Sequence, residues 1–575
     1  MTVLAGVSFG SALGGALFDP NSPFISFYFF SVQDVPVLVL LGAFYVVLRA
    51  LLRNGPKTFA LGSIELPVSI VFWITIMVAC VIIWGGAHFV YRNFALSMDE
   101  LMAEFDARIL AAGQLLASVP PDWRPDVPAL QPIFRLEVPE NAYWVSGYLP
   151  MNAAMRAVFV LLGEPSWEGV VLAAIAIIAL WGVARRLWPD RPDAAVVGVV
   201  LLACSSQFLI TAMSAYAMTA HLALNMVWLW LFLRDTRTSH VMAVAAGFLA
   251  CGLHQVVFHP LFIAPFIVSL VIGRRWKLAA FYVGCYAVIG LFWILYWSLL
   301  LRTTDAPLAQ SAEVGITHFA EQIGNIIKLG PDTVVLMALN LFRFLAWQSP
   351  LTIPLAVVGL IACRDRNIGT LAAGTEVKLA AGMALTLLVM VTLAPFQGHG
   401  WGYRYLHGFL GALSLLAAQG WTRLTDRDAQ RSNVPALAVS LSVLLSLFVL
   451  LPWRAYQVNA FIKPYAAAMA SIEHSDADVV IVDTTDVWYG EDLVRNDPFL
   501  RKTPKVLSLR RLDEALLGGL CRRYDVAIFD RADAQRLGLR IVPTPADVVD
   551  LDSKLRALAR SLNCGRPVLA SRTAR

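Results

Sequence analysis

Apolar runs of about 16 to 23 residues recur along this chain from end to end, and that is spanning length for a helix in a bilayer. With 58% hydrophobic residues, 15% charged residues and a mean hydropathy of +0.66, a soluble globular fold is excluded. The candidate spans are Val3–Phe18, Val35–Leu52, Pro67–Val90, Gly169–Arg185, Ala194–Met213, Tyr216–Leu233 and Val241–Gln255. They continue with Val256–Ile272, Leu278–Leu300, Gln348–Cys363, Leu379–Pro395, Tyr405–Trp421 and Ala436–Leu451. The sequence therefore predicts a polytopic all-α membrane protein of about thirteen spans. The first run is short and rich in glycine. Read as a signal peptide it lacks a charged leading region and a clean cleavage site, so it counts as a span.

Basic residues cluster in alternate short loops. Arg49, Arg53 and Lys57 form one cluster, and Arg185, Arg186 and Arg191 the next. Arg234 with Arg237, Arg274 and Arg275 with Lys277, Arg364 with Arg366, and Arg423, Arg427 and Arg431 continue the series. Positive loops stay in the cytoplasm, which puts Tyr91–Glu168, Leu301–Trp347 and the short Phe396–Arg404 turn outside. The net charge of +5 is accounted for by these clusters and calls for no nucleic-acid partner. A bacterial-style inner (plasma) membrane is the expected location.

From Pro452 onward the hydrophobic runs shorten to strand length, as in Ala477–Asp483 and Tyr524–Asp530, with a helical pattern over Leu512–Arg523 between them. That alternation predicts a soluble α/β domain with parallel strands, external by span parity. Each of these strands ends in Asp, which suits either a turn cap or a site at the carboxyl ends of the strands. Three regions follow: N-terminal spans over 1–66, a transmembrane domain over 67–452 with its loop at 91–168, and the tail domain over 453–575. Cys80, Cys204, Cys251, Cys285 and Cys363 fall in spans and read as small apolar residues. Cys521 and Cys564 share the tail, where an oxidising compartment would let them pair. No metal-ligand spacing, phosphate-binding loop or dinucleotide fingerprint is present, so no cofactor is expected.

The loop at 91–168 opens with Ser97-Met98-Asp99-Glu100. Met102, Leu101, Phe105, Ile109 and Leu116 recur at helical spacing to about Ser118, which predicts an amphipathic helix lying on the membrane surface. Ser97 followed by Glu100 is a capping box, and Asp99 suits the positive end of the helix dipole. The same pair could instead serve chemistry. The loop is too long for a connector and is dense in Pro, Trp and Tyr from Trp123 to Tyr148.

A span, then an Asp-Glu pair opening the first large external loop, then amphipathic helices: this arrangement resembles the GT-C glycosyltransferases. The branch is that of the protein O-mannosyltransferases and lipid A aminoarabinose transferases, and the resemblance covers roughly Pro67 to Leu451. It implies a GT-C-like fold and transfer of a sugar from a polyprenyl-phosphate donor to a lipid, glycan or protein acceptor. It makes Asp99 the general base that takes the proton from the attacking hydroxyl. Glu100, about 100° round the helix, is the cap partner or an orienting group. The phosphate leaving group needs positive charge rather than a proton, preferably from Arg. One departure stands out. Members often carry a further acidic residue where this chain reads Ser214–His221 with no carboxylate; either His221 substitutes for it or the substrate differs.

A second polar constellation is Gln397–His407, with Gly398, Gly400 and Gly402 permitting a tight turn. Arg404 is its candidate phosphate ligand, with His399 and His407 beside it, and Trp401 and Tyr403 offer rings to a sugar face. The same residues would also make an interfacial aromatic belt with a snorkelling Arg. His254 and His259 flank the turn of a hairpin, where polar groups at membrane depth serve either function or the turn itself. Arg302 and Asp305 open a further external segment, and Arg343 is a possible second phosphate ligand. Beside a glycosyltransferase, a polysaccharide polymerase or ligase would handle the same donors. A transporter or flippase fits less well, since no internal repeat shows and the span centres are nearly free of charge.

Overall fold

The computed structural model describes residues 19–54, 67–131, 133–304, 331–361, 371–372, 374–427, 434–543, 546–562 and 564–569. The expected span Val3–Phe18, Asp305 with most of its loop, Cys363, and the basic residues Lys57, Arg364, Arg366 and Arg431 lie outside the described residues.

Among the described residues, six helices are long and apolar enough to cross a membrane. They are Ile25–Leu51, Val68–Phe89, Trp167–Leu187, Trp276–Ile294, Thr375–Leu393 and Val434–Glu473. Shorter apolar helices, Met218–Phe232, Phe258–Ile272 and Thr352–Ile361, occupy other expected spans. The run Ala194–Met213 is not one helix. It forms Pro192–Ala203 and Ser206–Ala212, bent by 58°. The break has a local cause: Ser205 is extended and its side chain accepts the Phe208 N–H at 3.3 Å, starting a new helix. The last span runs on past Pro452 to Glu473. A π-helical turn at Ser446–Leu450 precedes the proline, and such a widened turn accommodates a ring that would otherwise strike a carbonyl.

Two compact units share the chain. One comprises Met1–Ala87, Ser166–Leu295 and His318–Gln457; the other His88–Pro165, Tyr296–Thr317 and Val458–Arg575. In the first, small residues set the helix spacing. A Cβ on Gly359 would strike the Leu416 carbonyl, and one on Gly420 the Leu355 carbonyl, so Thr352–Ile361 and Leu410–Arg427 meet backbone to backbone.

In the second unit, strands β1 (Ala117–Ser118) and β2 (Tyr143–Trp144) pair antiparallel. The strands β3 (Val479–Val482), β4 (Lys505–Ser508), β5 (Val526–Phe529) and β6 (Arg566–Pro567) form a parallel sheet in the order β4-β3-β5-β6. Asp530 at the end of β5 caps the following helix, accepting the N–H groups of Ala532 at 2.8 Å and Asp533 at 3.0 Å. Cys521 and Cys564 are joined by a disulfide.

The loop helix, Met98–Ala111, stops short of the expected Ser118. Gly113, at φ +76°, takes the left-handed position that ends a helix. Its apolar face does not lie on a membrane surface as expected. Met102, Phe105 and Ile109 are buried in one core with Val479, Ile481 and Leu507 of the parallel sheet. The fully buried strands β3 and β4 need a cover for their face, and this helix supplies part of it.

Candidate active site

The loop helix separates the two acidic residues at its start. Glu100 is fully buried, and its carboxylate accepts the N–H groups of Leu96 at 3.1 Å and Ser97 at 3.3 Å, while its own N–H donates to Ser97 Oγ at 3.4 Å. This is the capping box, complete, and it engages Glu100 in structure rather than proton transfer. Asp99, one step round the helix, is half-buried and accepts a hydrogen bond from the Tyr148 hydroxyl. The first turn is also held from the C-terminal segment, where Asp492 Oδ1 accepts the Met98 N–H at 3.1 Å.

Two turns on, on the same face as Asp99, stands Asp106. Burial pushes its carboxyl up to about 7, against the opposing pull of a hydrogen bond with Ser146. Ser146 Oγ also accepts the Tyr148 N–H at 3.1 Å, and its carbonyl accepts the Trp297 indole N–H at 2.9 Å. Asp99, Tyr148, Ser146 and Asp106 therefore form one polar strip. Sequence reasoning missed Asp106 and the pairing with Tyr148. The signal available for Asp106 was its spacing from Asp99, which repeats a helical face.

In the other unit, the Gln397–His407 segment folds as a tight turn into the short helix Arg404–Phe409, with Gly398, Gly400 and Gly402 all at positive φ. Gly400 has a second reason to be glycine, since a Cβ there would collide with the Arg404 stem. The Arg404 N–H donates to Gln397 Oε1 at 3.0 Å, and its guanidinium lies over the rings of Tyr216 and Tyr405 at 5.2 and 5.6 Å. With His221, Asn225 and Phe258 it lines a small cavity of about 20 Å³, room for about one water.

Trp401 and Tyr403 are not presented to a ligand as the sequence suggested. Trp401 is 1% exposed and lies against Phe29 and Trp347; Tyr403 is wholly buried, its carbonyl accepting the Gln207 amide at 2.8 Å. Both rings fill core space. The bent helix pair explains Gln207, because the break at Ser205 places it under the turn, in the space that a side chain on Gly402 would need.

Arg343 is similarly engaged. It donates to Asp34 Oδ2 at 3.1 Å, Gln33 Oε1 at 3.3 Å, and the carbonyls of Gly402 at 3.1 Å and Gly400 at 2.8 Å. Its donors brace the glycine turn, so it positions Arg404's segment and is not available to a phosphate. Asp34 also takes Arg454, at 3.3 Å, and the Trp347 indole N–H, at 2.9 Å.

Among the histidines, His259 has both ring nitrogens engaged, with Asn225 at 2.8 Å and Tyr286 at 2.7 Å. Asn225 in turn donates to the Gly408 carbonyl at 3.1 Å, which makes His259 a support of the turn. His221 lies edge-on to Phe258, and His254 also lies beside that ring. His407 and His399 are buried. Among the described residues no group of three or more potential ligands could share a metal ion.

No protein-family model matches the chain, and no curated protein matches it. Among solved structures it is similar to ArnT from Cupriavidus metallidurans bound to undecaprenyl phosphate. That similarity has 12% identity and a TM-score of 0.48, over 86% of this chain and 89% of that one. For the same ArnT in the apo state the values are 14% and 0.44, over 84% and 90%. It is also similar to an Archaeoglobus fulgidus oligosaccharyltransferase tethered with an acceptor peptide containing the NVT sequon. There the identity is 10% and the TM-score 0.42, over 76% of this chain and 63% of that one.

Proposed function

We propose that this chain is an integral membrane glycosyltransferase, moving a hexosyl or pentosyl group from a polyprenyl-phosphate donor to an extracytoplasmic acceptor. Asp99 is the general base. The observation that carries the reading is the division of labour at the loop helix: Glu100 completes the cap, and Asp99 is left half-buried under the Tyr148 hydroxyl. A carboxylate oriented by a neighbouring hydroxyl at the head of the loop helix suits a general base.

In the step proposed, an acceptor hydroxyl oxygen attacks the anomeric carbon and its proton passes to Asp99. The bond from that carbon to the phosphate oxygen breaks, and the electron pair leaves with the lipid phosphate. Arg404 stabilises the charge that develops there, and its fork of donors suits phosphate better than a lysine would. His221, buried beside Arg404, is proposed to support that residue's position. The Cys521–Cys564 disulfide supports a C-terminal segment on the oxidising, periplasmic side of an inner membrane.

The test is transfer from a radiolabelled lipid-linked sugar pool in membranes bearing wild type, Asp99→Asn or Arg404→Ala at matched expression. Asn keeps the shape and the hydrogen bond but accepts no proton, so transfer should fall by about 10²–10⁴-fold. Transfer at the wild-type rate by Asp99→Asn would leave Asp99 as a residue serving only the helix dipole.

A further inference from the structure

A cavity of about 480 Å³ in the second unit has no part in the reaction proposed above. It lies against the other side of the loop helix, where Leu101, Glu104 and Arg108 share a face, and its remaining walls come from the turn after Val68–Phe89 and from the C-terminal segment. The volume falls within the range of small-molecule sites.

Its charges are not balanced. Arg92, Arg108 and Lys502 line it, all exposed, and none forms an ion pair among the described residues. Of the acidic lining residues, Glu104 is bound to Arg156 at 2.8 Å. Asp497 is engaged by the backbone N–H groups of Phe499 at 3.2 Å and Arg501 at 3.3 Å. The fourth cation, Arg495, is a fixed part of the wall. It lies 4.0 Å over the Phe94 ring and donates to the carbonyls of Asp492 at 2.6 Å and Leu96 at 2.8 Å. Arg92, Arg108 and Lys502 therefore line a concave space whose remaining acidic residue, Glu473, acts electrostatically on Arg495. Left empty, such a space holds like charges in mutual repulsion; an anion relieves it.

The lip of the cavity is built at a conformational cost. Arg92 and Asn93 are consecutive non-glycine residues in the left-handed region, at φ 59° and 50°. That turn directs the chain so that Arg92, Asn93 and Phe94 all line the cavity. Apolar walls from Phe94, Met469 and Val506, with Glu473, Asn93 and Thr503 to accept or donate to hydroxyls, suit a sugar ring rather than a bare ion.

We infer that this cavity is a binding site for a saccharide bearing a phosphate or carboxylate, the anion held by Arg92, Arg108 and Lys502. This binding does not rest on the glycosyltransferase reading.

The test is calorimetric titration of the full-length protein in detergent with glucose 6-phosphate and glucuronate, and with glucose as the neutral control. The comparison protein carries Arg108→Gln and Lys502→Gln together, two exposed positions whose loss leaves the core intact. Wild type should bind one or both anionic sugars saturably, more weakly as salt rises, and glucose at least tenfold more weakly. The double variant should bind them about tenfold to a hundredfold more weakly, the loss of one or two charge-assisted hydrogen bonds. Three results would overturn the inference: no binding by wild type, equal binding of glucose, or unchanged binding by the variant. A lipid-headgroup patch is a different surface. If the variant instead loses only association with phosphatidylglycerol nanodiscs, the saccharide site is wrong. Asp99→Asn titrated alongside separates the two readings, since it should bind as wild type does whether or not it transfers.

Discussion

A carboxylate in the first turn of a helix can bond back to the helix or project away from it, and one residue of rotation decides which. Glu100 bonds back and Asp99 projects, and this much was legible in the sequence from the Ser97–Glu100 spacing. What was not legible is Asp106, because its environment is made by residues distant along the chain: Ser146 and, behind it, Trp297. The consequence is a pH dependence with a definite sign. Burial raises the Asp106 carboxyl to about 7, so the folded protein holds this proton more tightly than the unfolded chain does. Stability from this group is complete below the ordinary carboxylate range and is lost as pH rises from there to about 7. Purified wild type should therefore lose thermal stability between pH 4 and pH 8 by more than Asp106→Asn does, the variant gaining most at the alkaline end. Parallel melting curves for the two proteins would show that Asp106 is not the group responsible.

Elements were legible where their pattern is local and obscure where their partner is remote. The 3.6-residue periodicity of the loop helix identified the helix and its apolar face, but an apolar stripe does not say whether lipid or protein will cover it. Here Val479, Ile481 and Leu507 cover it. The bend at Ser205 was equally hidden, since hydropathy averaged over a window cannot register one capping serine. Arg343 is the sharpest example. From sequence it was a cation near an external loop; in the fold it shares Asp34 with Arg454, all three at most 3% exposed. This cluster ties the Phe29–Asp34 turn, the Pro331–Ala346 helix and the Leu451–Glu473 helix to the glycine turn that carries Arg404. Removing the one carboxylate leaves two guanidiniums buried together. Asp34→Asn should cost about 3–5 kcal/mol, read as a lower unfolding temperature and poor recovery from detergent. Unchanged stability would mean that the carbonyls and the Phe29 and Trp347 rings suffice to hold both cations.

At the scale of the whole molecule, the bias of basic residues predicts an orientation that hydropathy alone cannot. Arg185, Arg186, Arg234, Arg237, Arg274 and Arg275 alternate with the segments that carry Asp99 and Arg404. If the basic side is cytoplasmic, the loop and the disulfide-bonded C-terminal segment are outside, where an extracytoplasmic acceptor would be met. Single cysteines read this directly. Asp122, in the loop, and Arg237, at the start of a helix on the basic side, are both exposed. Asp122→Cys should react with a membrane-impermeant maleimide in intact cells. Arg237→Cys should react only after permeabilisation, in each case above the background set by Cys80, Cys204, Cys251, Cys285 and Cys363. The opposite pattern would put Asp99 in the cytoplasm. The proposed base could then not reach an acceptor on the far side of the membrane, and extracytoplasmic transfer would be ruled out however Asp99→Asn behaves.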